Sequence, residues 1–209
     1  MKHEKIAVDQ ITIACPEMAI DAVVLPHLSL LLDLVSNVEL LVSNENNIKG
    51  IPTPSIQLGR NEMKTARYIS ECVAVLSFQI YTSIKCTTPN GWISATSQDT
   101  ETPENQLAAR YFQTRPKLHM SDTHQRIETA QRTELALVLP DIVARRDPKL
   151  RVLSEDAPRL SLPIWLSVDR NAAKIAGLHK AVVWTRSCID ENQWLNGPLA
   201  QPFPSKLAK

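Results

Sequence analysis

The stretch Leu135-Ala136-Leu137-Val138-Leu139-Pro140 (LALVLP) is apolar throughout and closes on a proline. A strand with one wet face alternates apolar and polar residues, so a short uniform run has the pattern of a strand buried on both faces. Such strands occur where helices cover both sides of a sheet. The expectation for the flanking sequence is therefore strands alternating with helices, in parallel sheets of an α/β fold.

Upstream, Val8 to Ala14 (VDQITIA) alternates and runs into Cys15-Pro16-Glu17, a strand followed by a helix start carrying a proline and an acid. From Met18 to Ser36 apolar residues recur at helical spacing (Ile20, Val23, Val24, Leu28, Leu31, Leu32, Val35), and Pro26 is expected to break or kink that helix. Val38 to Val42 reads as a second strand, and Asn44 to Pro54 as a loop. Ser55 to Leu58 reads as a short strand stopped by Gly59. Tyr68 to Thr82 is rich in β-formers, with a break expected near Glu71, and ends in FQIYT. Lys85 to Gly91 reads as a loop and is the first candidate for a crossing between lobes.

Nearer the LALVLP run, Trp92 to Ser97 reads as a strand and Ser97 to Glu104 as exposed and polar. Thr102-Pro103-Glu104 has the composition of a helix start, leading into a helix through Gln106 to Phe112. Lys117 to Ser121 reads as a strand, and Ser121-Asp122-Thr123 as the cap of a helix over Arg126 to Arg132. Downstream, Leu162 to Val168 gives a strand containing Trp165, and Lys174 to Ile189 a final helix.

Composition narrows the function classes. The 209 residues are 44% hydrophobic and 22% charged, as expected of a folded globular chain rather than a disordered or fibrous one. The 23 basic and 22 acidic residues leave a formal charge of +1, too little field to attract a polyanion, so nucleic-acid binding by this chain itself is not expected. Met1-Lys2-His3-Glu4-Lys5 leads into a strand-like segment instead of a signal-peptide core, and the apolar stretch from Met18 to Val35 contains Asp21, Pro26, His27 and Asp33. A cytoplasmic protein with no membrane partner is expected. Cys15, Cys72, Cys86 and Cys188 are far apart, which suits reduced thiols better than a disulfide framework or a metal site. No Gly-x-Gly-x-x-Gly or Walker A loop is present, so no nucleotide or other cofactor is implied.

Val24-Leu25-Pro26-His27-Leu28, followed by a helical stretch and Val38-Glu39-Leu40, resembles the opening of the effector domains of LysR-type transcription regulators. Four further landmarks follow in the family's order: Ile56 to Arg60, Phe78 to Ser83, Ser121-Asp122 with Leu137 to Pro140, and Leu162-Pro163-Ile164-Trp165-Leu166. The stretch Leu137 to Val168 is the most similar, and the resemblance runs from Ile11 to about Ile189. It implies two Rossmann-like lobes joined by two crossover strands, in the manner of type II periplasmic binding proteins. The lobes would be residues 1 to 83 with 167 to 199, and 84 to 166, leaving 200 to 209 as a C-terminal tail. Two features depart from the family pattern. Thr133-Glu134-Leu135 stands where a Gly-x-Gly is common, and the chain has only 5 glycines, so several turns must be built from other residues.

The resemblance further implies a regulatory domain that senses a small-molecule effector between its lobes, forms a homodimer, and reaches DNA only through an N-terminal domain absent from this chain. Helix N-termini after the strands offer free N–H groups, which suit a carboxylate or an amino acid. The candidate ligand-binding residues are Cys15, Glu17 and Met18 in the first lobe, Ser121, Asp122 and Thr123 in the second, and Thr82 and Ser83 near the expected hinge. Plainer roles stand beside these: helix capping for Ser121 and Thr123, packing for Cys15, and complementing a helix dipole for Glu17. Ser121-Asp122-Thr123-His124 invites a catalytic reading, but neighbours in sequence do not make a triad, so an enzyme is not expected. The rival readings are a solute-binding transport protein, a truncated family member acting through mixed dimers, and a small α/β enzyme.

Overall fold

The computed structural model describes residues 9–44, 53, 55–95 and 102–191. The leader reading of Met1 to Lys5, most of the expected Asn44–Pro54 loop, part of the polar segment after Ser97 and the tail at 200–209 lie outside them. The chain divides into two compact units, one reaching to Val75 and resuming at Pro163, the other Leu76–Leu162.

In the first unit, β1 (Gln10–Cys15) pairs in parallel with β2 (Glu39–Asn44) and with β3 (Ile56–Gly59). β3 then pairs antiparallel with β9 (Leu160–Asp169), Ile56 opposite Val168 and Gly59 opposite Trp165. β9 adjoins the first part of β4 (Tyr68–Ser83), where the hydroxyls of Ser70 and Ser167 lie 2.8 Å apart. Ile11, Ile13, Ile56, Leu58 and Leu166 are fully buried, and each such side chain contributes about 1.5–3 kcal/mol of hydrophobic stabilisation.

The helical stretch after β1 is interrupted at the expected place. α1 (Glu17–Ala19) passes into a wide π turn at Ile20–Val24 and a tight 3-10 turn at Leu25–His27 before α2 (Leu28–Leu34) resumes. Pro26 has no N–H to give to the preceding turn, and the backbone changes its hydrogen-bond spacing around it. A 3-10 turn (Arg170–Lys174) then leads to Gly177, whose φ of +80° redirects the chain into α6 (Leu178–Glu191). An added Cβ there would meet Val35 Cγ1 at 3.1 Å, so both backbone and space call for glycine.

In the second unit, β5 (Trp92–Ser94) pairs in parallel with β6 (Leu118–His119) and with β7 (Ala136–Pro140). α3 (Pro103–Phe112), α4 (Thr123–Arg132) and α5 (Asp141–Ala144) follow β5, β6 and β7. Every residue of β7 is buried, as the all-apolar run requires. Around it pack Tyr81, Ile93, Ile127, Ala130, Ala144 and Leu150. α3 begins as expected, with Thr102 Oγ1 accepting the Asn105 N–H at 3.2 Å. It ends on Gln113 at φ +53°, a left-handed cap supplied without glycine.

Two expectations are corrected. Pairing is mixed: β4 runs antiparallel to β7 and to β8 (Leu150–Val152), a short strand the sequence reading missed. β4 is also unbroken at Glu71, because that side chain pairs with Arg186 on α6. A carboxylate with a guanidinium partner sits in a partly buried strand without ending it. The loop at Lys85 to Gly91 lies within the second unit. The chain passes between units inside β4, at Val75 and Leu76, and returns inside β9, at Leu162 and Pro163.

Candidate functional site

Strand register locates the candidate residues. In the second unit, Ile93 faces Leu137 and Leu118, so β5, β6 and β7 point their C-terminal ends the same way. Loops and helix starts gather at that end, where open α/β sheets place their ligands. β4 is antiparallel to β7, with Phe78 opposite Pro140 and Tyr81 opposite Leu137. Residues 78 and 79 therefore lie at the loop-bearing end, whereas Thr82 and Ser83 lie at the other. Ser83 Oγ accepts the Lys85 N–H at 3.2 Å, and Thr82 is fully buried with no hydrogen bond to its Oγ1 among the described residues. The register of β4 sets these two at the opposite end of the strands from Ser121, Asp122 and Thr123.

Ser121, Asp122 and Thr123 are brought together at the start of α4. Asp122 is the cap, its Oδ1 accepting the Gln125 N–H at 2.8 Å. Thr123 Oγ1 accepts from Arg126 Nη2 at 2.9 Å, and Ser121 is exposed. In the first unit, Cys15 ends β1 fully buried, Glu17 is half-buried in the first turn of α1, and Met18 is buried beneath it. All three lie at the C-terminal end of β1.

Three residues that sequence reasoning missed form a buried polar group at the same end of the second unit's strands. Asp141, the first residue of α5, accepts from Gln79 Nε2 at 2.9 Å and from Tyr81 OH at 2.8 Å. Gln79 and Tyr81 alternate along β4 and share a face, so one carboxylate reaches both. Burial, with the hydrogen bond to Asp141 added, holds the Tyr81 phenol well above its ordinary range, and it remains the donor. The signal was present in the acid that directly follows a fully buried strand and in the Gln-x-Tyr spacing of FQIYT. Among the described residues no cluster of three or more His, Cys, Asp or Glu side chains has the arrangement of a metal site.

No family model matches the sequence, and no curated protein matches it. Solved structures do. The CrgA regulatory domain, a LysR-type transcriptional regulator from Neisseria meningitidis, superposes with a TM-score of 0.67 at 13% identity, over 87% of this chain and 98% of that one. The effector domain of AmpR from Pseudomonas aeruginosa gives 0.65 at 13% identity, over 88% and 96%. This chain has the LysR effector-domain fold. The BenM effector-binding domain, solved with its effector benzoate, shares that LysR-type fold with a TM-score of 0.62 at 10% identity, over 93% of this chain and 99% of that one. The type II periplasmic-binding-protein-like architecture is the one the resemblance implied, including two strands that serve both units.

Proposed function

We propose that this chain is the effector-sensing domain of a LysR-type transcription regulator, binding a small metabolite and catalysing no reaction. The observation that carries this reading is the fold, shared over almost the whole length of the CrgA regulatory domain. Sites in this reading are the helix starts at the C-terminal ends of the strands, with Cys15, Glu17 and Met18 in one unit and Ser121 to Thr123 in the other. The non-enzymatic reading is supported by Asp122 and Thr123, whose oxygens already serve a helix cap and Arg126. DNA contact would fall to a separate N-terminal domain, and a cytoplasmic setting suits that role. No helix among the described residues is long and apolar enough to cross a membrane.

Thermal denaturation against amino acids, amines and small carboxylates tests the reading. A ligand at about a hundred times its Kd adds about 2.7 kcal/mol, which for a domain of this size raises the melting temperature by about 5–10 °C. Ser121→Ala and Thr123→Ala should reduce the shift. A melting temperature indifferent to every class would overturn the proposal.

Pairing of two copies through the helix at Leu28–Leu34 belongs to the same reading. Leu25, Leu30 and Leu32 are 54%, 55% and 51% exposed, an apolar face that a second copy would cover. Sedimentation is expected to show a dimer that Leu30→Glu with Leu32→Glu dissociates, and a monomer at every concentration would count against it.

A further inference from the structure

The helix starts at the loop-bearing end of the second unit's strands carry acids: Glu104 on α3, Asp122 at the cap of α4, and Asp141 on α5. Helix dipoles favour an anion at such positions. At α3 and α4 that preference is already met by the chain's own oxygens, since Thr102 and Asp122 accept the N–H groups that an incoming carboxylate would seek. A ligand carboxylate would also meet like charge.

An independent observation comes from Gln79. The residue is 5% exposed, and its Nε2 donates to Asp141 Oδ2. An ionised carboxylate only accepts, so this bond fixes which way the amide is turned. Among the described residues, no donor satisfies Gln79 Oε1, which is thereby left buried and unpaired. Buried carbonyl oxygens in native proteins almost always have a partner. What the position lacks is an N–H or O–H, which a carboxylate ligand does not possess and an ammonium or amidinium supplies in number.

We propose that the effector of this chain carries a cationic nitrogen group, an ammonium or amidinium, that donates to Gln79 Oε1 and has Asp141 as its countercharge. The inference rests on the effector-sensing reading above and narrows its ligand from any small metabolite to a nitrogen cation. It departs from the carboxylate that helix N-termini alone suggest. Asp141 reaches the group through the amide it already holds, so Gln79 is the residue that meets the ligand and Asp141 also fixes its orientation.

Matched probes of equal shape and opposite charge test this on the full chain: benzamidine against benzoate, and putrescine against succinate, by thermal shift and calorimetry at constant ionic strength. Benzamidine and putrescine are expected to raise the melting temperature, and benzoate and succinate to leave it unchanged. Gln79→Met keeps the volume and removes the amide, and should weaken binding of the cationic probe by about tenfold, or about 1.4 kcal/mol. Asp169→Asn, a change in the first unit, should lower the melting temperature of the free protein yet preserve the shift. Stabilisation by the carboxylates alone would leave a sensor and overturn the cation. Equal shifts in native protein and Gln79→Met would overturn the assignment to Gln79. No shift with any probe would overturn both this inference and the function on which it rests.

Discussion

Asp141→Ala is expected to destabilise the second unit by about 3 kcal/mol, because it strands two buried donors at once and each costs about 1–3 kcal/mol when unpaired. The donors are Gln79 Nε2 and Tyr81 OH, and neither β4 residue has room to turn toward solvent. For a chain of this length the melting temperature should fall by about 6–12 °C. Asp141→Asn is a different case. Its oxygen can still accept from Tyr81, and its amide can donate to Gln79 if the Gln79 amide turns over, which presents Oε1 in place of Nε2. About 1 kcal/mol is then expected to be lost, the difference between a charged and a neutral acceptor. Urea denaturation of the two variants decides the matter, and equal losses would mean that Asp141 acts through its charge rather than through the two bonds.

The same three residues explain where sequence reasoning stopped. The run from Ala136 to Pro140 was legible because burial on both faces leaves no polar position, and the start of α3 because Thr-Pro-Glu combines a capping oxygen with a proline at the first turn. Each signal is local. The group formed by Gln79, Tyr81 and Asp141 is separated by about sixty residues of chain, |i−j| of 62 and 60, and depends on the antiparallel register of β4 against β7. Alternating β-formers do not encode the direction of their partner. That gap also displaced Thr82 and Ser83: their hydroxyls suit a ligand, but the direction of β4 carries them to the far end of the strands. Glu71 misled for a related reason, since the residue that neutralises it, Arg186, comes 115 positions later. Candidate residues next to a strand-to-helix junction were thus easier to find than those whose role depends on a distant strand.

The second large effect is expected at Asp169, the last residue of β9, in the first unit. Its carboxylate is buried, accepts Arg67 Nη2 at 2.7 Å and Nε at 3.0 Å through Oδ2, and caps the following 3-10 turn by accepting the Asn171 N–H at 2.9 Å through Oδ1. Asp169→Ala removes the cap, worth about 1 kcal/mol, and the charged hydrogen bonds, worth at least as much again. A loss of about 2 kcal/mol at neutral pH follows. Asp169→Asn keeps an oxygen for the Asn171 N–H and should lose about half of that. pH separates the two contributions. Burial alone would raise the Asp169 pKa, but the hydrogen bonds from Arg67 and Asn171 outweigh it and hold the carboxyl below its ordinary value. A group depressed on folding adds stability above its unfolded pKa, near 3.9, and loses it as pH falls through the folded value, because the unfolded chain then binds the extra proton first. The gap in stability between native protein and Asp169→Asn should therefore be full at pH 7 and narrow below about pH 4. The comparison cancels the other carboxylates, which titrate in both proteins. A gap of the same size at pH 7 and pH 3 would show that Arg67 holds Asp169 by shape and hydrogen bonding without drawing on its charge.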